Sequence, residues 1–108
     1  MEWKVEYYET VEGRIPLRAW IDGLRDVNGR ERILDRLERL ENGNPGPHRS
    51  VGHGISELKI DYGPGYRIYF ARRGATIILL LCGGDKSTQR KDVVQAYWYW
   101  SEYRRRRE

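Results

Sequence analysis

The sequence predicts an α+β domain of order β-α-α-β-β-β-α, with a small, mainly antiparallel sheet, two helices before most of its strands and one after. Three observations carry this prediction. Apolar residues recur at helical spacing across residues 16–24 and 28–41. Two alternating runs rich in Ile, Tyr and Phe flank Gly63-Pro64-Gly65, which reads as a hairpin. A continuous apolar run, Ala75 to Cys82, then precedes a second helical pattern. At 108 residues the chain suits one core and is too short for two.

Residues Trp3 to Thr10 alternate moderately and predict the first strand. Glu12-Gly13-Arg14 turns the chain, and Pro16 fits the first position of a helix, where its missing N–H costs no bond. Leu17, Trp20, Ile21 and Leu24 follow at i, i+3, i+4 and i+7. A second helix is expected from about Asn28 to Glu41, with Ile33, Leu34, Leu37 and Leu40 buried. Its charged residues, Arg36 among them, are expected to face water.

Asn42 to Gly54, rich in Gly, Asn and Pro, reads as a loop. The hairpin arms are Ile55–Tyr62 and Tyr66–Arg73, and the apolar strand Thr76–Cys82 is expected to be central with both faces covered. Gly83-Gly84 is expected to bend the backbone sharply, and Asp85, Ser87 or Thr88 to cap a last helix from about Gln89 to Tyr103. Val93, Ala96, Tyr97 and Trp100 share one face of it. In the Tyr97-Trp98-Tyr99-Trp100 cluster two residues are expected to pack inward.

Composition narrows the function. No segment approaches the roughly 20 apolar residues of a membrane span, and the start MEWKVEYY lacks a basic region followed by an apolar one, which predicts no secretory signal and no membrane partner. One cysteine, Cys82, excludes an internal disulfide and a cysteine-built zinc site, and suits a reducing cytoplasm. It reads as a packing residue at the end of an apolar strand. His48 and His53, with no carboxylate or cysteine cluster beside them, make a poor metal site and read as loop residues. The net charge is +4, of which residues 104–108 hold +3, so the chain divides into a domain over 1–103 and a basic tail over 104–108.

Period-two geometry in the hairpin brings cations together. If Leu58, Ile60, Tyr66, Ile68 and Phe70 face the core, then Lys59, Arg67 and Tyr69 share the outer, solvated face. A lysine, an arginine and a tyrosine on one sheet surface can grip a phosphate and meet a base. Lys86 follows at the end of the apolar strand, near the start of the last helix, with Asp85 and Gln89 placed to orient it. Gly-Gly-Asp-Lys lacks the longer glycine-spaced loop of a nucleotide-binding P-loop.

The segment ELKIDYGPGYRIYF at 57–70, with GGDKSTQ at 83–89, resembles the RelE/ParE superfamily of toxins from bacterial toxin–antitoxin modules. It is most similar to the HigB-like addiction module killer protein branch. The likeness spans nearly the whole chain and is most specific over residues 55–96. It implies a RelE-like fold and a cytoplasmic messenger-RNA interferase, an endoribonuclease acting on the translating ribosome. In that chemistry a ribose 2′-hydroxyl attacks the adjacent phosphate, and no metal or other cofactor is needed. The resemblance implies Arg67 as the stabiliser of the phosphate charge. It implies Lys59 and Lys86 as phosphate ligands, one of them able to move a proton, and Tyr66 or Tyr69 as a base-stacking residue. Lys59 stands where the family often has arginine, which loses bidentate geometry. Arg104 and Arg105 are expected to help dock ribosomal RNA. The implied partners are mRNA, the ribosome and a helix-turn-helix antitoxin, with promoter DNA reached only through that antitoxin. The superfamily fold also serves non-enzymatic inhibitors of DNA gyrase, and an inactive binding or co-repressor module is a third reading.

Overall fold

A computed structural model of the protein describes residues 3–107. Its elements are β1 (Lys4–Tyr7), α1 (Pro16–Gly23), α2 (Val27–Glu41), β2 (His48–Gly52), β3 (Ile55–Ile60), β4 (Tyr66–Arg73), β5 (Ile77–Asp85), a 3-10 turn (Lys86–Thr88) and α3 (Gln89–Arg106). The five strands form one sheet in the order β1-β5-β4-β3-β2, antiparallel except where β1 runs parallel to β5. The α+β class, the three helices and the hairpin therefore stand as read, with one strand more. Gly63 and Gly65 hold positive φ in the hairpin turn, a conformation open to glycine at no steric cost.

Both faces of the sheet are covered. Leu17 and Ile21 of α1 and Ile33, Leu37 and Leu40 of α2 pack on Leu58, Ile60, Tyr66, Ile68, Phe70, Ile78 and Leu80. On the opposite face Ala96 and Tyr103 of α3 close over Ile55, Tyr69, Ala71, Leu79, Leu81 and Cys82. This explains why β5, enclosed by β1 and β4, is apolar at successive positions. It also corrects the expectation of a solvated outer face on the hairpin. Helix α3 lies there, and its Tyr99 and Trp100 pack against the sheet while Tyr97 and Trp98 remain exposed.

Three further expectations change. Residues 42–54 are not all loop, because β2 pairs antiparallel with β3 from His48↔Leu58 to Gly52↔Ile55. Its sequence, HRSVG, has little strand character of its own. Arg36 supplies the missing order: its guanidinium donates to the carbonyls of Lys59 (2.6 Å), Pro45 (2.8 Å) and Pro47 (3.0 Å). Expected in water, Arg36 is buried, whereas Leu34 is exposed. Gly83 and Gly84 do not bend the chain, since β5 continues through them to Asp85. Glycine is required there by close approach. A Cβ on Gly83 would lie 2.5 Å from Trp20 Cζ3, and one on Gly84 would lie 2.7 Å from Asp92 Cγ and 2.8 Å from Thr88 Oγ1. Gly84→Ala should therefore lower stability by about 1–3 kcal/mol, the usual cost of overpacking, as read from the urea midpoint at unchanged m.

The basic segment is not detached from the domain. Helix α3 runs through Arg106, which donates to Glu9 O at 2.6 Å and pairs with Glu102 at 2.6 Å. Arg104 and Arg107 lie over the rings of Trp100 and Tyr103. Glu108 lies outside the described residues.

Candidate functional site

Strand register brings the hairpin charges into two neighbouring rows. Arg49 of β2, Glu57 of β3 and Tyr69 of β4 stand side by side in one, and Lys59, Arg67 and Gly84 in the next. Glu57 is 1% exposed and organises the group. Its Oε1 accepts from Arg49 Nε at 2.8 Å, its Oε2 accepts from Gln89 Nε2 at 3.2 Å, and Arg67 Nε lies 3.6 Å from Oε2. A carboxylate so deep in the fold is tolerable only with cationic or hydrogen-bonding partners on both oxygens. Arg67, itself 6% exposed, also donates from Nη1 to Gly65 O at 3.0 Å, which fixes the plane of its guanidinium.

These residues form the wall of a groove of about 340 Å³ lined by Pro47, His48, Arg49, Glu57, Lys59 and Arg67. Three cations against one internally paired carboxylate make it an anion site, and the arginine forks match phosphate oxygens. Lys59 is exposed at its rim and makes no ion pair among the described residues. Lys86 lies next to the groove rather than in its lining: a Cβ on Gly65 would be 3.5 Å from Arg67 Nη1 and 3.6 Å from Lys86 Cβ. Lys86 is likewise exposed and free of ion pairs among the described residues. The structure thus groups Arg67, Lys59 and Lys86.

The remaining sequence-derived residues fall elsewhere or act differently. Asp85 does not orient Lys86. Its Oδ1 accepts from the Ser87 amide at 2.8 Å and caps the 3-10 turn. Gln89 holds Glu57 instead. Tyr66 and Tyr69 are 4% and 0% exposed, so neither offers a ring face to a base. Tyr66 packs edge-on to Trp20 and donates to Asp26 Oδ2 at 2.7 Å, while Tyr69 lies beneath α3. Arg104 and Arg105 sit fifteen and sixteen residues along α3 from Gln89, about 22–24 Å at 1.5 Å per residue. His48 stands opposite Leu58, its ring centroid 6.4 Å from that of Phe70, at the edge of the groove it lines with Arg67.

Burial sets the titration of the groups behind the groove. It raises the Tyr69 hydroxyl above the ordinary tyrosine value, with Glu57 and Asp92 adding to the effect. It pushes the Cys82 thiol up to about 12, with Asp92 contributing. That protonated, buried thiol is a packing group and a poor nucleophile. Tyr66 is raised to about 12 by burial and then by Asp26. These folded-state values exceed the unfolded ones, so their stabilisation is complete below pH 9.0 and is lost as pH rises toward about 12. The urea midpoint should stay level from pH 7 to the ordinary thiol value of 9.0 and then fall. Cys82→Ala should flatten the first part of that fall.

Two members of the site, Glu57 and Arg49, were absent from the residues the sequence singled out. Glu57 alternates with Lys59 and so shares the face of Arg67, a signal present in the strand pattern. Arg49 had none, lying in the strand hidden by loop-like composition. Among the described residues, no group of three His, Cys, Asp or Glu side chains is placed to hold a metal ion, and no helix is long and apolar enough to cross a membrane.

Comparison with known proteins adds the family. An uncharacterized protein of Haemophilus influenzae is 46% identical over 78 residues, covering 72% of this chain and 79% of the relative. Residues 19–96, which hold the later part of α1, all of α2, the whole groove and the first turns of α3, match the family described as phage-derived protein Gp49-like (DUF891). This chain belongs to the phage-derived Gp49-like family.

Proposed function

We propose that the chain is the toxin of a type II toxin–antitoxin module and a metal-independent endoribonuclease that cleaves mRNA on the ribosome. The observation that carries this reading is Arg67, held at the wall of a cationic groove by Glu57 and Gly65, with Arg49 and Lys59 beside it and Lys86 adjacent. The Gp49-like family and the resemblance of residues 57–70 and 83–89 to HigB-like toxins support the same reading. Attack of a ribose 2′-hydroxyl on the neighbouring phosphorus, its proton passing to solvent water, forms a 2′,3′-cyclic phosphate and expels the 5′-oxygen. The pentacovalent intermediate carries extra negative charge, which a preorganised guanidinium stabilises at no reorganisation cost. Lys86 and Lys59 bind the flanking phosphates, and one of them, on this reading Lys59, protonates the departing 5′-oxygen. Arg104 and Arg105, remote from the groove, contact ribosomal RNA. A helix-turn-helix antitoxin neutralises the toxin and carries the complex to promoter DNA.

Induced expression of the wild type beside Arg67→Ala/Lys86→Ala, with primer extension on several transcripts, tests this. New 5′ ends within coding regions that vanish in the double variant are expected. Growth arrest with intact transcripts would move the reading to a protein target such as DNA gyrase. No arrest at all would leave an inactive module.

A further inference from the structure

Helix α3 turns one face to the sheet, and its outward face has a different composition. Ala96 and Tyr103, with Val93, Tyr99 and Trp100, pack inward. Outward, Lys91, Val94, Trp98 and Arg105 fall at i, i+3, i+7 and i+14, with Arg90 and Tyr97 beside them, and all six are exposed. The helix holds two carboxylates, and both turn to the domain. Asp92 accepts from the Thr88 hydroxyl, and Glu102 accepts from Tyr8 and pairs with Arg106. The outer strip is therefore cationic at both ends and aromatic in the middle, and it carries no carboxylate of its own. Arg90, Lys91 and Arg105 make no ion pair among the described residues.

Its rings are held in place. Tyr97 meets Trp98 edge-on at 5.6 Å and His53 at 5.0 Å. His53 belongs to the β2–β3 turn and is the one non-glycine residue with positive φ, 56°, among those described. The turn is seated on α3, since a Cβ on Gly54 would lie 3.2 Å from Trp100 Nε1. Rings already ordered by such contacts lose little freedom when a base stacks on them. We propose that this strip is a platform for single-stranded RNA, onto which the substrate continues after it leaves the phosphate groove. Two bases stack on Tyr97 and Trp98, and the intervening phosphates lie along Arg90 and Lys91. The two sites are continuous, because Arg49 lines the groove and also the shallow trough that ends on Arg90 and Val94. From Arg90 to Trp98 the helix rises about 12 Å. Every base has a face to stack, so the platform adds affinity without sequence preference. That the strand is the substrate rests on the ribonuclease reading; that the strip binds single-stranded RNA does not.

The test uses the whole chain and a short 2′-O-methyl oligouridylate, which has no 2′-hydroxyl to attack. Saturable NMR shifts of the Trp98 indole N–H and the Tyr97 amide are expected. Trp98→Ala, at an exposed position and so at unchanged urea midpoint, should weaken binding at least about fivefold, and Trp98→Phe should recover most of the loss. Lys91→Ala should lower the slope of log K against log salt by about 0.7, the value for one phosphate of a single strand. Full affinity of Trp98→Ala, shifts confined to the groove, or equal binding of duplex RNA would overturn the proposal. So would saturation of Trp98 by phosphatidylglycerol vesicles and not by RNA, which would assign the strip to a membrane surface, or its burial in a homodimer by sedimentation. Because binding and not cleavage is read, a chain that binds here and cuts no RNA keeps the platform and removes the ribonuclease. The reverse result removes the platform alone.

Discussion

Replacing Arg67 by alanine should reduce RNA cleavage by about 10²–10³-fold, the range found when one preorganised donor to a developing oxyanion is removed. Arg67→Lys should recover only a small part. A lysine keeps the charge but loses the planar fork, and it cannot hold Gly65 O and a phosphate oxygen in fixed relation. Lys86→Ala removes an exposed ammonium that makes no ion pair among the described residues, and should act on binding instead. Its KM for a model oligoribonucleotide should rise severalfold while kcat changes little. The contrast between the two variants separates the stabiliser of the intermediate from a phosphate ligand. Equal effects of both on kcat would place Lys86 at the reacting phosphate and contradict the division of roles.

The second large effect falls on stability. Glu57→Ala leaves Arg67 buried at 6% exposure with no carboxylate, and it strips Arg49 and Gln89 of their acceptor. Breaking a buried pair from one side costs about 3–5 kcal/mol. The deeply buried Glu57 side makes the upper half of that range reachable, whereas exposed Arg49 can find water and adds little. Glu57→Leu combined with Arg67→Met should be markedly more stable than Glu57→Leu alone, because it removes the stranded charge with the carboxylate. Chemical denaturation of the two singles and the double gives the coupling directly. Additive losses would mean that the 3.6 Å separation carries no useful interaction.

Periodicity carried most of the fold and only part of the site. Leu17, Ile21, Ile33, Leu37 and Leu40 were readable as core because each recurs on one helical face. Strand β5 was readable because an apolar run without alternation needs cover on both sides. Strand β2 was not, since HRSVG has no pattern and owes its place to Arg36, a tertiary contact from another helix. Arg67, Lys59 and Lys86 were identified by pattern and resemblance, and the structure groups them. Tyr66 lies on the face that alternation itself assigns to the core, under α1 and α2; Tyr69 was misread for a different physical reason. Alternation says which side of a strand a residue takes, but not that a second helix covers that side. The same omission concealed Glu57. On a solvated sheet its carboxylate is unremarkable, and only burial under α3 makes it the anchor of two arginines.

The most direct test of the ribonuclease account is the chemistry of the ends. Purified wild-type protein is added to ribosomes translating one defined mRNA, and the fragments are mapped and end-labelled. The account predicts 5′-hydroxyl and 2′,3′-cyclic phosphate ends at discrete codons, formed equally well in chelator. It also predicts that cleavage is lost when the ribose at the cut site is 2′-deoxy and when Arg67 is alanine. Intact mRNA, or cleavage that survives both the deoxy substitution and Arg67→Ala, would contradict it.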